Sequence, residues 1–131
     1  MMSDSFEIST VLMASAKQVY EAWLSGDKHG AMTGGAAQID PTVGGKFSAW
    51  DGYITGATLE LEPYRRIVQS WRTVEFPADA PDSRLEITLE EKADETRLTL
   101  RHSQIPAGQG SSYESGWADN YFDLMKDYFS E

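Results

Sequence analysis

Ser111-Ser112-Tyr113-Glu114-Ser115-Gly116-Trp117-Ala118-Asp119-Asn120-Tyr121-Phe122-Asp123-Leu124-Met125-Lys126-Asp127-Tyr128-Phe129-Ser130 is the stretch that decides how the rest of the chain must fold. It opens as S-x-x-E, the pattern in which a serine caps a helix and a glutamate reaches back to it, so a single long helix is expected from Ser111. At about 100° per residue, Tyr113, Trp117, Ala118, Tyr121, Phe122, Leu124, Met125, Tyr128 and Phe129 fall on one half of that helix. Ser115, Asp119, Asp123, Lys126, Asp127 and Ser130 fall on the other. An ordinary surface helix shows an apolar stripe a little over about 100° wide, whereas this one approaches roughly 180°. A face so broad needs a concave partner, and a strongly curved sheet supplies one.

The preceding sequence contains that sheet. Phe6–Leu12 reads as a first strand, rich in β-branched residues. Ser15-Ala16-Lys17-Gln18 repeats the capping-box logic with glutamine, and Ala16, Val19, Tyr20, Trp23 and Leu24 follow at helical spacing. Gly26 is expected to stop this helix, with Asp27–Met32 forming one or two further turns before Gly34-Gly35. From Phe47 the pattern changes to strands. Asp51-Gly52 marks a hairpin between 47–50 and 53–55, and Gly56 inside the second strand signals a bulge or bend. Leu59–Glu62 runs outward, Pro63–Arg66 turns, and Ile67–Thr73 returns. Residues 77–82, with two prolines and no periodicity, form a loop.

The next hairpin fixes its own register. If 84–91 and 96–103 pair antiparallel about Ala93-Asp94, Glu90 faces Arg97, Thr88 faces Thr99 and Glu86 faces Arg101. On the opposite face Leu89 meets Leu98, Ile87 meets Leu100 and Leu85 meets His102. One register satisfies opposite charges on the wet side and apolar pairs on the dry side, and a slip of one residue would spoil both. The order is therefore strand, two short helices, mostly antiparallel strands, and a long helix. That is an α+β fold in which a sheet of about six or seven strands wraps the last helix, read as one domain over residues 1–131.

Composition excludes several function classes. Eleven basic against 21 acidic residues give −10, which argues against nucleic acid or anionic membrane as a partner. The absence of cysteine excludes disulfides, thiolate chemistry and zinc–thiolate sites, and two histidines exclude a three-histidine metal centre. No apolar run approaches the roughly 20 residues that span a bilayer, and the start lacks the basic-then-apolar pattern of a secretory signal, so the expected location is the cytoplasm. Gly44-Gly45-Lys46 suggests a phosphate loop, but Asp40 stands where its first glycine belongs and Phe47 where Ser or Thr belongs. No G-x-S-x-G, H-E-x-x-H or G-x-G-x-x-G occurs, and the acids show no metal-loop spacing. Neither a catalytic residue nor a cofactor is assigned.

Several stretches together resemble a known group: Val43–Phe47, Asp51–Gly56, Leu59–Pro63, Ile67–Arg72 and Trp117–Phe129. They are similar to the AHSA-type family, homologous to the C-terminal domain of a eukaryotic activator of a heat-shock chaperone ATPase. That family belongs to the SRPBCC superfamily, with START lipid-transfer domains and birch-pollen-allergen-like proteins. The resemblance implies the helix-grip fold, with two small helices after the first strand and an elongated cavity between sheet and helix that takes apolar or aromatic molecules.

The residues placed along such a cavity are Trp50, Trp71, Leu85, Ile87, Leu98, Leu100, His102, Tyr113, Trp117, Tyr121 and Met125. A buried tyrosine hydroxyl needs a partner, and three tyrosine or tryptophan tips along one helix face suit a hollow better than a dry core. His102, on the apolar face of its strand, is either a proton donor or acceptor for a ligand or a histidine satisfied within the fold. His29, in a glycine-flanked turn, is expected at the surface. The leading expectation is a non-catalytic binding domain for a small apolar or aromatic ligand, as monomer or homodimer. The alternatives are an interaction module acting on a chaperone or other protein, and a superfamily-type cyclase or hydrolase using His102 with a helix tyrosine.

Overall fold

The computed structural model describes residues 3–130. Seven strands form one antiparallel sheet: β1 (Ser3–Leu12), β2 (Gln38–Ile39), β3 (Lys46–Ala49), β4 (Ile54–Glu62), β5 (Arg66–Thr73), β6 (Ser83–Lys92) and β7 (Glu95–Pro106). Their order across the sheet is β1-β7-β6-β5-β4-β3-β2. The short helices α1 (Ala16–Leu24) and α2 (Gly26–Thr33) follow β1, and the C-terminal helix lies in the curve of the sheet. This is the helix-grip arrangement.

The β6–β7 pairing follows the charge and apolar pattern of the sequence, with Glu86 opposite Arg101, Ile87 opposite Leu100 and Leu85 opposite His102. Its dry face is the centre of the core. Leu85, Ile87, Leu98 and Leu100 are no more than 1% exposed and share one buried cluster with Met125 and Phe122 of the helix. The α1 capping box is present in both directions between Ser15 and Gln18. Gly26, however, does not end that helix. Ser25 takes an extended conformation and its side chain accepts from the Lys28 amide, so α2 starts at Gly26.

Two local expectations are displaced. The β3–β4 hairpin keeps its register, Ala49 opposite Ile54, but its loop is four residues, and Trp50, Asp51 and Gly52 all have positive φ. The bulge of β4 lies between Thr58 and Glu60, not at Gly56, where the Ser70 carbonyl and the Phe47 ring come too close for any side chain.

The C-terminal segment is not one uniform helix capped by Ser111. It comprises α3 (Gly110–Trp117), a π-helical turn (Ala118–Phe122) and α4 (Asp123–Tyr128). Gln109 occupies the N-cap position and makes no side-chain cap bond. The cap is supplied from a distant strand: Asp4 Oδ2 accepts from the Gly108 and Gly110 amides, both at 2.9 Å. A carboxylate there satisfies orphan donors and meets the positive helix end, a contribution of about 0.5–2 kcal/mol. Gly110 permits this approach, since a Cβ would lie 2.7 Å from that of Asp4. Ser111 and Glu114 are exposed.

Candidate functional site

The C-terminal helix buries Trp117, Tyr121, Phe122 and Met125 in the core, and a hollow lies beside its first turns. Between α3, the π turn, the β3–β4 loop and the end of β5 lies a cleft of about 610 Å³, within the usual range of small-molecule sites. Six aromatic side chains line it: Trp50, Tyr53, Trp71, Tyr113, Trp117 and Tyr121. Five of these are among the cavity residues read from the sequence. The other six (Leu85, Ile87, Leu98, Leu100, His102 and Met125) lie away from the cleft, in the packed core. The hollow therefore occupies one end of the helix–sheet contact instead of running beneath the whole helix.

Trp50 reaches the cleft through backbone geometry. Its φ of 53° puts it in the left-handed region, and its indole packs where a Cβ on Gly35 would lie 2.6 Å from the ring. Its ring centroid is 6.4 Å from that of Tyr121, at 77°. Trp117 and Tyr121, one turn apart on the helix, have centroids 4.7 Å apart, and Trp71 stands 5.6 Å from Trp117 and 5.1 Å from Tyr113. Trp117 is 2% and Tyr121 4% exposed, so both are buried in the wall and neither projects into solvent.

Two histidines hold this wall from behind. His102 Nδ1 accepts from the Trp117 indole N–H at 3.1 Å. An indole nitrogen can only donate, so the proton of the neutral imidazole is on Nε2. Nε2 then donates to Ser83 Oγ at 2.8 Å, and the Ser83 hydroxyl donates to the Trp71 carbonyl at 2.6 Å. Burial pushes the His102 pKa down to about 3. Both ring nitrogens are committed to the fold, so His102 is a satisfied core histidine with neither nitrogen free for proton transfer.

His29 overturns its expected exposure: it is 4% exposed. Its Nδ1–H donates to the Trp23 carbonyl at 2.9 Å, and its Nε2 accepts from the Tyr121 hydroxyl at 2.8 Å. Burial lowers its pKa, opposed by the bond to the Trp23 carbonyl, and burial raises that of Tyr121. The partner lies 92 positions away in sequence, and no local pattern in the polar segment Gly26–Thr33 discloses it. The two histidines do not meet; each instead fixes one of two adjacent aromatic residues on the helix.

The mouth is polar. Tyr113 Oη donates to Gln109 Oε1 at 2.8 Å and accepts from Thr73 Oγ1 at 2.7 Å, while Gln109 Nε2 donates to the Glu75 carbonyl at 3.1 Å. The Tyr53 hydroxyl donates to the Glu75 carboxylate, and its pKa is raised to about 12, first by burial and then by that bond. Ser112 and Asn120 complete the rim. Among the described residues no cluster of three or more His, Asp or Glu is placed to hold a metal, and no helix is long and apolar enough to cross a membrane.

These features can be set beside known proteins. The sequence profile described as "Activator of Hsp90 ATPase homolog 1-like protein" matches residues 13–130. The human activator of 90 kDa heat shock protein ATPase homolog 1 is 27% identical over 122 residues, covering 93% of this chain and 36% of that protein. The chain thus spans little more than a third of this curated relative. Among solved structures, an HSP90 activator from Plasmodium falciparum superposes with a TM-score of 0.88 at 25% identity, covering 96% of both chains. CalU16 from Micromonospora echinospora superposes at 0.81 with 26% identity, covering 98% of this chain and 77% of the other. With the profile match running from just after β1 to just past the C-terminal helix, this chain belongs to the family of Activator of Hsp90 ATPase homolog 1-like proteins.

Proposed function

We propose that this protein is a non-catalytic binding domain that takes a small apolar or aromatic group into the cleft between its C-terminal helix and the β3–β4 loop. The observation that carries this reading is the six-aromatic lining of a 610 Å³ cleft with a polar rim. Against catalysis stands the commitment of both histidines: the acid–base pair that a His102-based cyclase or hydrolase needs is absent when Nδ1 and Nε2 already serve Trp117 and Ser83. A cytoplasmic location fits this reading.

Thermal unfolding with a panel of fatty acids, sterols and aromatic compounds provides the test. A ligand present at a hundred times its Kd is expected to stabilise the fold by about 2.7 kcal/mol, and to shift the indole N–H resonances of Trp50, Trp71 and Trp117. No stabilisation by any compound, or shifts confined to residues outside the cleft, would overturn the proposal.

A second reading is favoured by one observation. The Plasmodium falciparum protein described as an HSP90 activator matches this chain end to end, 96% of each. The corresponding expectation is a rise in Hsp90 ATPase turnover when the protein is added. An unchanged rate at saturating protein removes that reading and leaves the cleft reading intact.

A further inference from the structure

Resting on the binding reading above, we infer that the cleft selects an organic ammonium cation, seated against the aromatic wall with its charge toward the Glu75 carboxylate. Aromatic walls alone would accept any flat apolar group. Charge narrows the class. Among the residues lining the cleft, Glu75 is the one acidic side chain, and no lysine or arginine lines it. The nearest cation in sequence, Arg72, is turned away: its guanidinium donates to the Ala80 and Pro77 carbonyls and pairs with Asp82 at 2.8 Å. Among the described residues no salt bridge reaches Glu75.

The carboxylate is also held in place. Tyr53 donates to one of its oxygens, and the Glu75 backbone is tied by its amide to Thr73 Oγ1 and by its carbonyl to Gln109. The same cleft is lined by rings set at steep angles, Trp50 to Tyr121 at 77° and Trp71 to Tyr113 at 80°. An angled set presents π faces in more than one direction, which is the geometry that attracts a cation lacking N–H donors. An anionic ligand, such as a fatty acid, would have to bury its charge beside Glu75 with no lining cation to offset it. The net charge of −10 adds a field that concentrates cations and repels anions.

The test uses three near-isosteric compounds: phenyltrimethylammonium, tert-butylbenzene and 4-tert-butylbenzoate. Each is titrated into the full chain while the four tryptophan indole resonances are followed. The cation is expected to bind roughly tenfold or more tighter than the neutral compound, and the benzoate weakest of the three. Glu75→Gln, which keeps an acceptor for Tyr53, should bring the cation to within about threefold of the neutral compound and leave the neutral one unchanged. Equal affinities for cation and neutral compound, or a preference that survives Glu75→Gln, would overturn this inference while the binding reading stands. If none of the three shifts Trp50, Trp71 or Trp117, this inference falls, and the binding reading falls with it only when the wider panel of fatty acids, sterols and aromatic compounds also fails to stabilise the fold.

Discussion

Trp117→Ala is expected to remove about 3–5 kcal/mol of stability, more than any other single truncation in the cleft wall. The indole is 2% exposed and its ring centroid lies within 6.0 Å of those of Trp23, Trp71, His102 and Tyr121. Truncation therefore loses contact on every side. It also deletes the donor that His102 Nδ1 accepts, and a buried acceptor left without a partner costs about 1–3 kcal/mol. The two losses do not simply add. The vacated volume opens toward the cleft, so water can enter and partly satisfy Nδ1. Domains of this kind are stable by only about 5–15 kcal/mol, so the variant should be marginal, with Tm lowered by roughly 10–20 °C.

Trp117→Phe separates the terms. It retains most of the ring contact and loses only the N–H, so a loss nearer 1–3 kcal/mol is expected. Urea denaturation of both variants measures the difference. A loss below about 1 kcal/mol for Trp117→Ala would mean that the helix does not seat its aromatic face against the sheet as described.

The helix face itself was legible because its aromatic residues recur at helical spacing. The β6–β7 register was legible because charge and apolarity both depend on one pairing. What could not be read were bonds between residues far apart in sequence. Nothing near Gly110 announces that Asp4 will cap it, and a serine followed three residues later by glutamate is a strong but local lure. The π turn is another case. It widens the helix by one residue between Ala118 and Phe122, although the burial of Tyr121 and Phe122 themselves agrees with the wheel at 100° per residue. A wheel drawn at a constant 100° has no place for such a step, because a π turn is stabilised by its tertiary partners, not by its own composition. The Asp51-Gly52 signal suggests a two-residue turn and so puts Trp50 in a strand. Its left-handed backbone moves it to the mouth of the cleft.

Acid should loosen the molecule well above the pH at which carboxylates titrate, and the two buried histidines set the sign. An unfolded histidine titrates near 6.5, whereas folded His102 stays neutral down to about 3 and the pKa of His29 is also lowered. Below pH 6.5 the unfolded chain binds protons that the folded chain refuses, so stability is full above 6.5 and falls with pH toward the folded values. Each refused proton costs about 1.4 kcal/mol per pH unit. For His102 alone the loss between pH 7 and pH 5 comes to about 2 kcal/mol, and His29 adds a term of the same sign. Glu86, whose pKa is lowered by its hydrogen bond from Arg66, adds its own loss only as pH falls from about 4.5 toward its folded value. The window from 6.5 to 5 therefore isolates the histidines. Urea denaturation at pH 7, 6 and 5 should show the decline, and His102→Gln should flatten it by close to one histidine's share. A stability constant across that window, or a slope that survives replacement of both histidines, would sink the assignment. Folded His102 stays neutral throughout that window and Trp117 keeps its bond, so the affinity of the folded protein for a ligand held against Trp117 should stay constant while its stability falls.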